Sequence, residues 1–133
     1  MAAGYSGTPL AKKLAIREGH VLALVDAPEG WAVPDLPDGV EVRRNLRRAP
    51  DTTVAFVRSQ ADLARQAPRL VKATAPTAGL WIAWPRKAGG HISDMTEQSL
   101  RDTFLPTGLV DVKVAAIDDD WSGLRFVWRK DRR

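Results

Sequence analysis

Leu80-Trp81-Ile82-Ala83-Trp84 is apolar at every position, and Val21-Leu22-Ala23-Leu24-Val25 and Val54-Ala55-Phe56-Val57 repeat the pattern. A strand that is apolar on both faces is covered on both faces, the mark of a central strand in a parallel sheet. Two later stretches alternate instead. Val110, Val112, Val114 and Ala116 share one face against Asp111 and Lys113; Leu124, Phe126 and Trp128 oppose Arg125, Val127 and Arg129. The polar link from Asp118 to Gly123 makes these two an antiparallel hairpin. A short strand, Val40-Glu41-Val42-Arg43, follows the turn Asp38-Gly39. The expected fold class is α/β, three layers around a mixed sheet with parallel central strands and a C-terminal antiparallel hairpin. The short strand or the third strand is expected outermost, with the hairpin at the opposite edge.

Parallel strands need crossovers, and helical patterns fill the gaps. Thr8 offers an N-cap with Pro9 at the first helical position, and a helix carrying Leu10 and Leu14 runs to Glu18-Gly19. Ser59 and Asp62 resemble a capping box ahead of an apolar stripe of Leu63, Ala67, Leu70 and Val71. Pro68 lies inside that stripe and is expected to kink or split the helix. A third helix is expected from Ser93-Asp94, with Glu97 completing a box from Asp94 and with Leu100 and Phe104 inward. Ala27 to Asp38, rich in proline and glycine, reads as an ordered surface loop. No repeat or linker divides the chain, so 1–133 is read as one domain.

Composition narrows the function classes. The chain has 133 residues, 44% hydrophobic and 27% charged, a size that suits one self-supporting core. It has no cysteine, which excludes disulfides, thiolate metal sites and a cysteine nucleophile. No apolar run reaches the roughly 20 residues of a membrane helix, and no signal-peptide pattern opens the chain. A cytoplasmic setting without membrane contact is the expectation. The net charge of +4 is mildly basic, with the excess gathered in Arg43, Arg44, Arg47 and Arg48 and in the tail from Arg129 to Arg133. Those arginines are the candidate footprint for nucleic acid, weighed against a solvated rim and a frayed tail, which is the preferred reading.

The order of elements resembles a trimmed class I methyltransferase, a Rossmann-like fold. Leu14-Ala15-Ile16-Arg17-Glu18-Gly19-His20-Val21-Leu22 is similar to the lead into that fold's first strand. Thr74-Ala75-Pro76-Thr77-Ala78-Gly79-Leu80-Trp81-Ile82 is similar to the turn before its fifth. A closer resemblance covers nearly the whole chain. Gly4-Tyr5-Ser6-Gly7-Thr8-Pro9-Leu10-Ala11-Lys12-Lys13-Leu14, Ala27-Pro28-Glu29-Gly30, Trp84-Pro85-Arg86-Lys87 and Trp121-Ser122-Gly123-Leu124-Arg125-Phe126-Val127 are similar to the small bacterial "domain of unknown function 3052" family. That resemblance implies fold and length but no activity.

The chain departs from a working methyltransferase at the cofactor loop. Val25-Asp26-Ala27-Pro28-Glu29-Gly30-Trp31 keeps an acid and one glycine but inserts a proline where alternating glycines let backbone approach a ligand. The short strand runs into Arg43 and Arg44 instead of an acid for a ribose. The segment between the first strand and the next is too short for the usual helical crossover. No cofactor is therefore expected.

The candidate site is the rim formed by the C-terminal ends of the parallel strands. Asp26, Glu29, Gly30 and Trp31 leave the first strand, Arg58 and Ser59 the third, and Trp84, Arg86 and Lys87 the fourth, with His91 behind Gly89-Gly90. Ligands of open α/β sheets bind at that rim, and the helix opening at Ser59 favours an anion. The Trp84–Lys87 segment is expected beside the Asp26–Glu29 segment on adjacent strands. Trp31 and Trp121 each plug a core edge or line a pocket. His20 lies at the opposite edge from His91, which argues against a shared metal, and Asp118-Asp119-Asp120 reads as a solvated hairpin tip. No catalytic motif occurs. The reading is a non-catalytic module for a small anionic ligand or a protein partner. The alternatives are a divergent S-adenosylmethionine-dependent methyltransferase and a nucleic-acid binder using Arg43, Arg44, Arg47 and Arg48.

Overall fold

The three wholly apolar segments lie side by side at the centre of one sheet. The computed structural model describes residues 8–133, so Gly4 to Gly7 of the opening string lie outside the described residues. The strands are β1 (Val21–Val25), β2 (Glu41–Arg43), β3 (Thr52–Phe56), β4 (Gly79–Pro85), β5 (Leu109–Ala116) and β6 (Trp121–Trp128). They are ordered β2-β1-β3-β4-β6-β5. The first four are parallel, and β6 runs antiparallel to both β4 and β5. The short strand takes the outer edge. The third strand does not: β3 lies between β1 and β4, and all five of its residues are buried.

Alternation along each central strand feeds two separate cores. Leu80, Ile82 and Trp84 face a cluster with Leu63, Leu70, Leu100 and Phe104. Those residues come from α2 (Gln60–Ala73) and α3 (Glu97–Phe104). Trp81 and Ala83 face the other way, with Leu22, Leu24, Val54 and Phe56. That side is covered by α1 (Leu10–Lys13) and by the Ala27–Asp38 loop, which seats Trp31, Val33 and Leu36 on the sheet. No helix lies between β1 and β2; the loop does the covering.

The helix expectations need three corrections. The first helix stops at Lys13, far short of Glu18-Gly19, because Ala15 turns left-handed (φ 61°). Its N-cap is Pro9, with no side-chain cap from Thr8. Pro68 does not split α2, which runs unbroken through it. Pro68 and Ala64 are both exposed, so the carbonyl that the proline deprives of a donor meets water. The third helix starts later than expected, capped by Thr96 with Ser99 completing the box. Asp94 serves α2 instead: its Oδ1 accepts from Gln60 N at 2.9 Å.

The hairpin alternation also breaks. A bulge between Asp111 and Lys113 shifts the register, so Asp111 lies opposite Phe126 and Val114 opposite Leu124. Asp111 and Val114 therefore share the α3 face, where Asp111 accepts from Arg101 Nε at 3.0 Å. The extra residue, Val112, is left exposed.

Candidate functional site

Because β1, β3 and β4 are parallel, their trailing loops emerge at one rim, and because β6 is antiparallel its first residue joins them. Pro85 at the end of β4 pairs with Trp121 at the start of β6. The Asp118–Asp120 link is thus part of the rim wall, not a free tip. Asp118 Oδ1 accepts from the amides of Asp120 (2.8 Å) and Trp121 (2.9 Å), while its Oδ2 accepts from Trp31 Nε1 at 2.9 Å. Asp120 takes Arg86 N on its carbonyl at 2.8 Å and pairs its carboxylate with His91 Nε2 at 2.9 Å.

The floor is aromatic. Phe56 has no exposed surface and meets Trp31 and Trp121 edge-on, with centroids 4.8 and 4.9 Å away. Arg58 follows on the chain and lays its guanidinium 5.3 Å from the Trp121 centroid while donating to Asp26 O at 3.0 Å. A cation over an indole face is held electrostatically as well as by packing. Asp26 itself is left-handed (φ 55°), which turns the chain sharply out of β1. Above this floor lies a cleft of about 320 Å³ lined by Arg58, Pro85, His91, Asp120 and Trp121.

Two rim residues of the sequence reading, Arg58 and His91, line that cleft; Trp31 does not, and packs on Phe56 instead. Glu29, Gly30 and Lys87 are exposed nearby and Arg86 is half-buried, but none of them lines it. Trp84 is buried against α2 and α3, on the opposite face from Phe56. The Trp84–Lys87 and Asp26–Glu29 segments are not on adjacent strands, since β3 separates β1 from β4. Trp121 and Asp120 complete the cleft. The hairpin itself was legible, but its tip joins this rim only because β6 runs antiparallel to β4.

The first turn of α2 is already supplied with acceptors. Ser59 Oγ accepts from Asp62 N at 3.1 Å, Asp94 takes Gln60 N, and Asp62 Oδ2 accepts from Arg58 N at 3.1 Å. Burial opposes the Asp62 charge, but the hydrogen bonds from Arg58 N–H, Gln66 and Arg65 outweigh it and hold the carboxyl below the usual range.

Two of the four clustered arginines, Arg43 and Arg44, are engaged locally, while Arg47 and Arg48 are exposed. Arg43 bonds to Glu41 and donates to Arg47 O at 3.0 Å, and Arg44 reaches Trp31 O at 3.5 Å. His20 lies at the far edge, where its Nδ1 accepts from Arg17 N at 3.2 Å. Among the described residues, no three His, Asp or Glu side chains are gathered so as to hold a metal ion.

No family model matches the chain, and no curated protein matches it in sequence. In structure it is similar to a SAM dependent methyltransferase from Aquifex aeolicus, with a TM-score of 0.58 and 13% identity over 88% of this chain and 86% of that one. It is also similar to DhpI in complex with SAH, with a TM-score of 0.57 and 11% identity over 92% and 83%. A third likeness is to ribosomal protein L11 methylase from Lactobacillus delbrueckii subsp. bulgaricus, with a TM-score of 0.54 and 10% identity over 90% and 75%. The fold is therefore methyltransferase-like and Rossmann-like.

That fold implies S-adenosylmethionine, and the residues at this rim do not fit it. At the end of β3, Trp31 and Trp121 pack against Phe56. The carbonyl of Asp26 is taken by Arg58, and β2 ends in arginines instead of the acid that a ribose hydroxyl calls for.

Proposed function

We propose that this chain is a non-catalytic, methyltransferase-like domain that binds a small anionic ligand, or an acidic group of a protein partner, in the rim cleft. The observation that carries the reading is the cleft itself: Arg58 and His91 line it beside Trp121, whose ring carries the Arg58 guanidinium and packs on Phe56. A guanidinium fork offers paired donors to a carboxylate or phosphate. The resemblance of the quoted strings to the "domain of unknown function 3052" family is part of this proposal and carries no activity with it. A cytoplasmic setting fits this reading, and among the described residues no helix is long and apolar enough to cross a membrane.

The test is a thermal-shift screen of small anions, since a ligand that binds only the folded state raises Tm by mass action. Hits are then titrated against Arg58→Gln and His91→Gln, which are expected to lose the binding. Replacing Arg86 and Lys87 together by alanine is expected to leave that binding in place, because neither residue lines the cleft. Undiminished binding in both Arg58→Gln and His91→Gln would move the site elsewhere.

The fold comparisons favour a second reading, a divergent S-adenosylmethionine-dependent transferase, over a non-catalytic module. Isothermal titration with S-adenosylmethionine separates the two: micromolar binding promotes the transferase. Nucleic-acid binding by Arg43, Arg44, Arg47 and Arg48 would show as salt-dependent retention of RNA or DNA.

A further inference from the structure

At the opposite, amino-terminal edge of the sheet, a half-buried guanidinium finds no partner among the described residues. Arg125 lies in β6 opposite Trp81 and Lys113. Its Nε has neither solvent nor a hydrogen-bond partner, and the rest of the group makes no hydrogen bond or ion pair among the described residues. Gly79 makes room for it: a Cβ there would lie 2.8 Å from Nη2 and 2.9 Å from Nε. Burial first, and then the charge of Arg133, push the Arg125 guanidinium below its ordinary value. A folded chain does not hold two cations together without cost unless something compensates.

Two clefts open beside this group, of about 370 and 300 Å³, and both are lined by Arg125 and Thr77. Arg133 lines the first; Arg17, His20 and Asp51 line the second. His20 Nδ1 accepts from Arg17 N, so in the neutral ring Nε2 carries the proton and is a donor. The one side-chain carboxylate lining the two clefts, Asp51, has Oδ2 occupied by Val21 N at 2.7 Å. Donors therefore dominate.

We propose that Arg125, with Arg133 and Thr77, forms a site for a phosphate-sized oxyanion, at the edge of the sheet opposite the rim cleft. A planar fork accepts such a group bidentately, and the anion's charge would relieve the crowding of the two arginines. The competing account is that Arg125 only covers apolar surface with its stem. Arg125→Met separates the two, since it keeps the stem and deletes the fork.

The experiment titrates the full chain with inorganic phosphate at constant ionic strength, balanced with chloride, reading heat and Tm. A parallel arm uses a nucleoside monophosphate, to distinguish a free anion from a phosphoryl group on a larger molecule; tighter binding in either arm supports the site. Saturable binding is expected in the wild type, and Arg125→Met is expected to weaken it by about tenfold or more. The same variant is expected to melt higher than the wild type in phosphate-free buffer, because an unpaired, half-buried charge is gone. Arg133→Gln provides a second variant, with weakened binding expected. The site is overturned by no saturable response in the wild type, or by an undiminished one in Arg125→Met. A response lost in Arg58→Gln but kept in Arg125→Met would place the anion at the rim and overturn it equally.

Discussion

Phe56 and Trp81 show how single residues tie the sheet to its coverings. Phe56 is clamped edge-on by one tryptophan from the Ala27–Asp38 loop and one from the start of β6, and Trp81 donates its Nε1 to Leu14 O at 3.2 Å while fully buried. Truncating either to alanine removes a large aromatic from a packed site, and each is expected to cost roughly 3–5 kcal/mol in denaturant unfolding. A loss below about 1 kcal/mol at both would contradict the core described for them. Asp62 adds a pH term. Its folded carboxyl titrates below its unfolded value, so its contribution is fully present above the unfolded pKa and is lost as pH falls through the folded one. Stability should decline as pH drops below about 4, near the ordinary carboxylate value. In Asp62→Asn that part of the decline should be missing; identical acid profiles would remove Asp62 from the account.

At the scale of elements, caps and interruptions decide where helices begin and how they hold together. Asp94 lies outside both long helices, yet it accepts from Gln60 N and, through its carbonyl, from Gln60 Nε2 at 2.6 Å. Asp94→Ala is expected to cost about 1 kcal/mol, the usual worth of a helix cap, and to do so by loosening α2 instead of α3. Protection of the first-turn amides of α2 in hydrogen exchange would report it; a loss confined to α3 would reverse the assignment. Pro68→Ala restores the donor that Ala64 O lacks in an exposed turn. It is expected to raise stability by about 1 kcal/mol or more, since the helical penalty of proline exceeds its restraint of the unfolded chain. The residues explain what could be read beforehand. Leu63, Leu70, Leu100 and Phe104 announce their buried faces by spacing alone. Asp94 could not be assigned, because an Asp three residues before a Glu satisfies a local rule while its real partner is distant in sequence. The bulge at Val112 was equally silent: its valine fits the alternation that the bulge interrupts.

For the whole molecule, continuous apolar runs predict which strands are central, because burial on two faces is written into every position of Leu80 to Trp84. They do not order those strands, since neighbours are chosen by the crossovers, and so β3 was left free to be an edge. The rim was legible as three loops leaving parallel strands, but its fourth wall required the direction of β6, which the Asp118–Asp120 string does not encode. The resulting molecule is lopsided. Helices α2 and α3 cover one face, whereas α1 and an irregular loop cover the other. The outer strand β2 hangs on β1 through three paired positions, Val21–Glu41, Leu22–Val42 and Ala23–Arg43, and Glu41 and Val42 are exposed. Local opening costs least where few buried contacts and exposed backbone bonds coincide. Amides of β1, β3 and β4 are therefore expected to exchange only by global unfolding, and those of β2 by a separate, cheaper opening that leaves the core intact. Native-state hydrogen exchange across a denaturant series distinguishes the two classes by their slopes. If β2 exchanged with the same free energy and slope as β3, the edge and its two flanking loops would belong to the central cooperative unit, and the lopsided packing would carry no difference in stability.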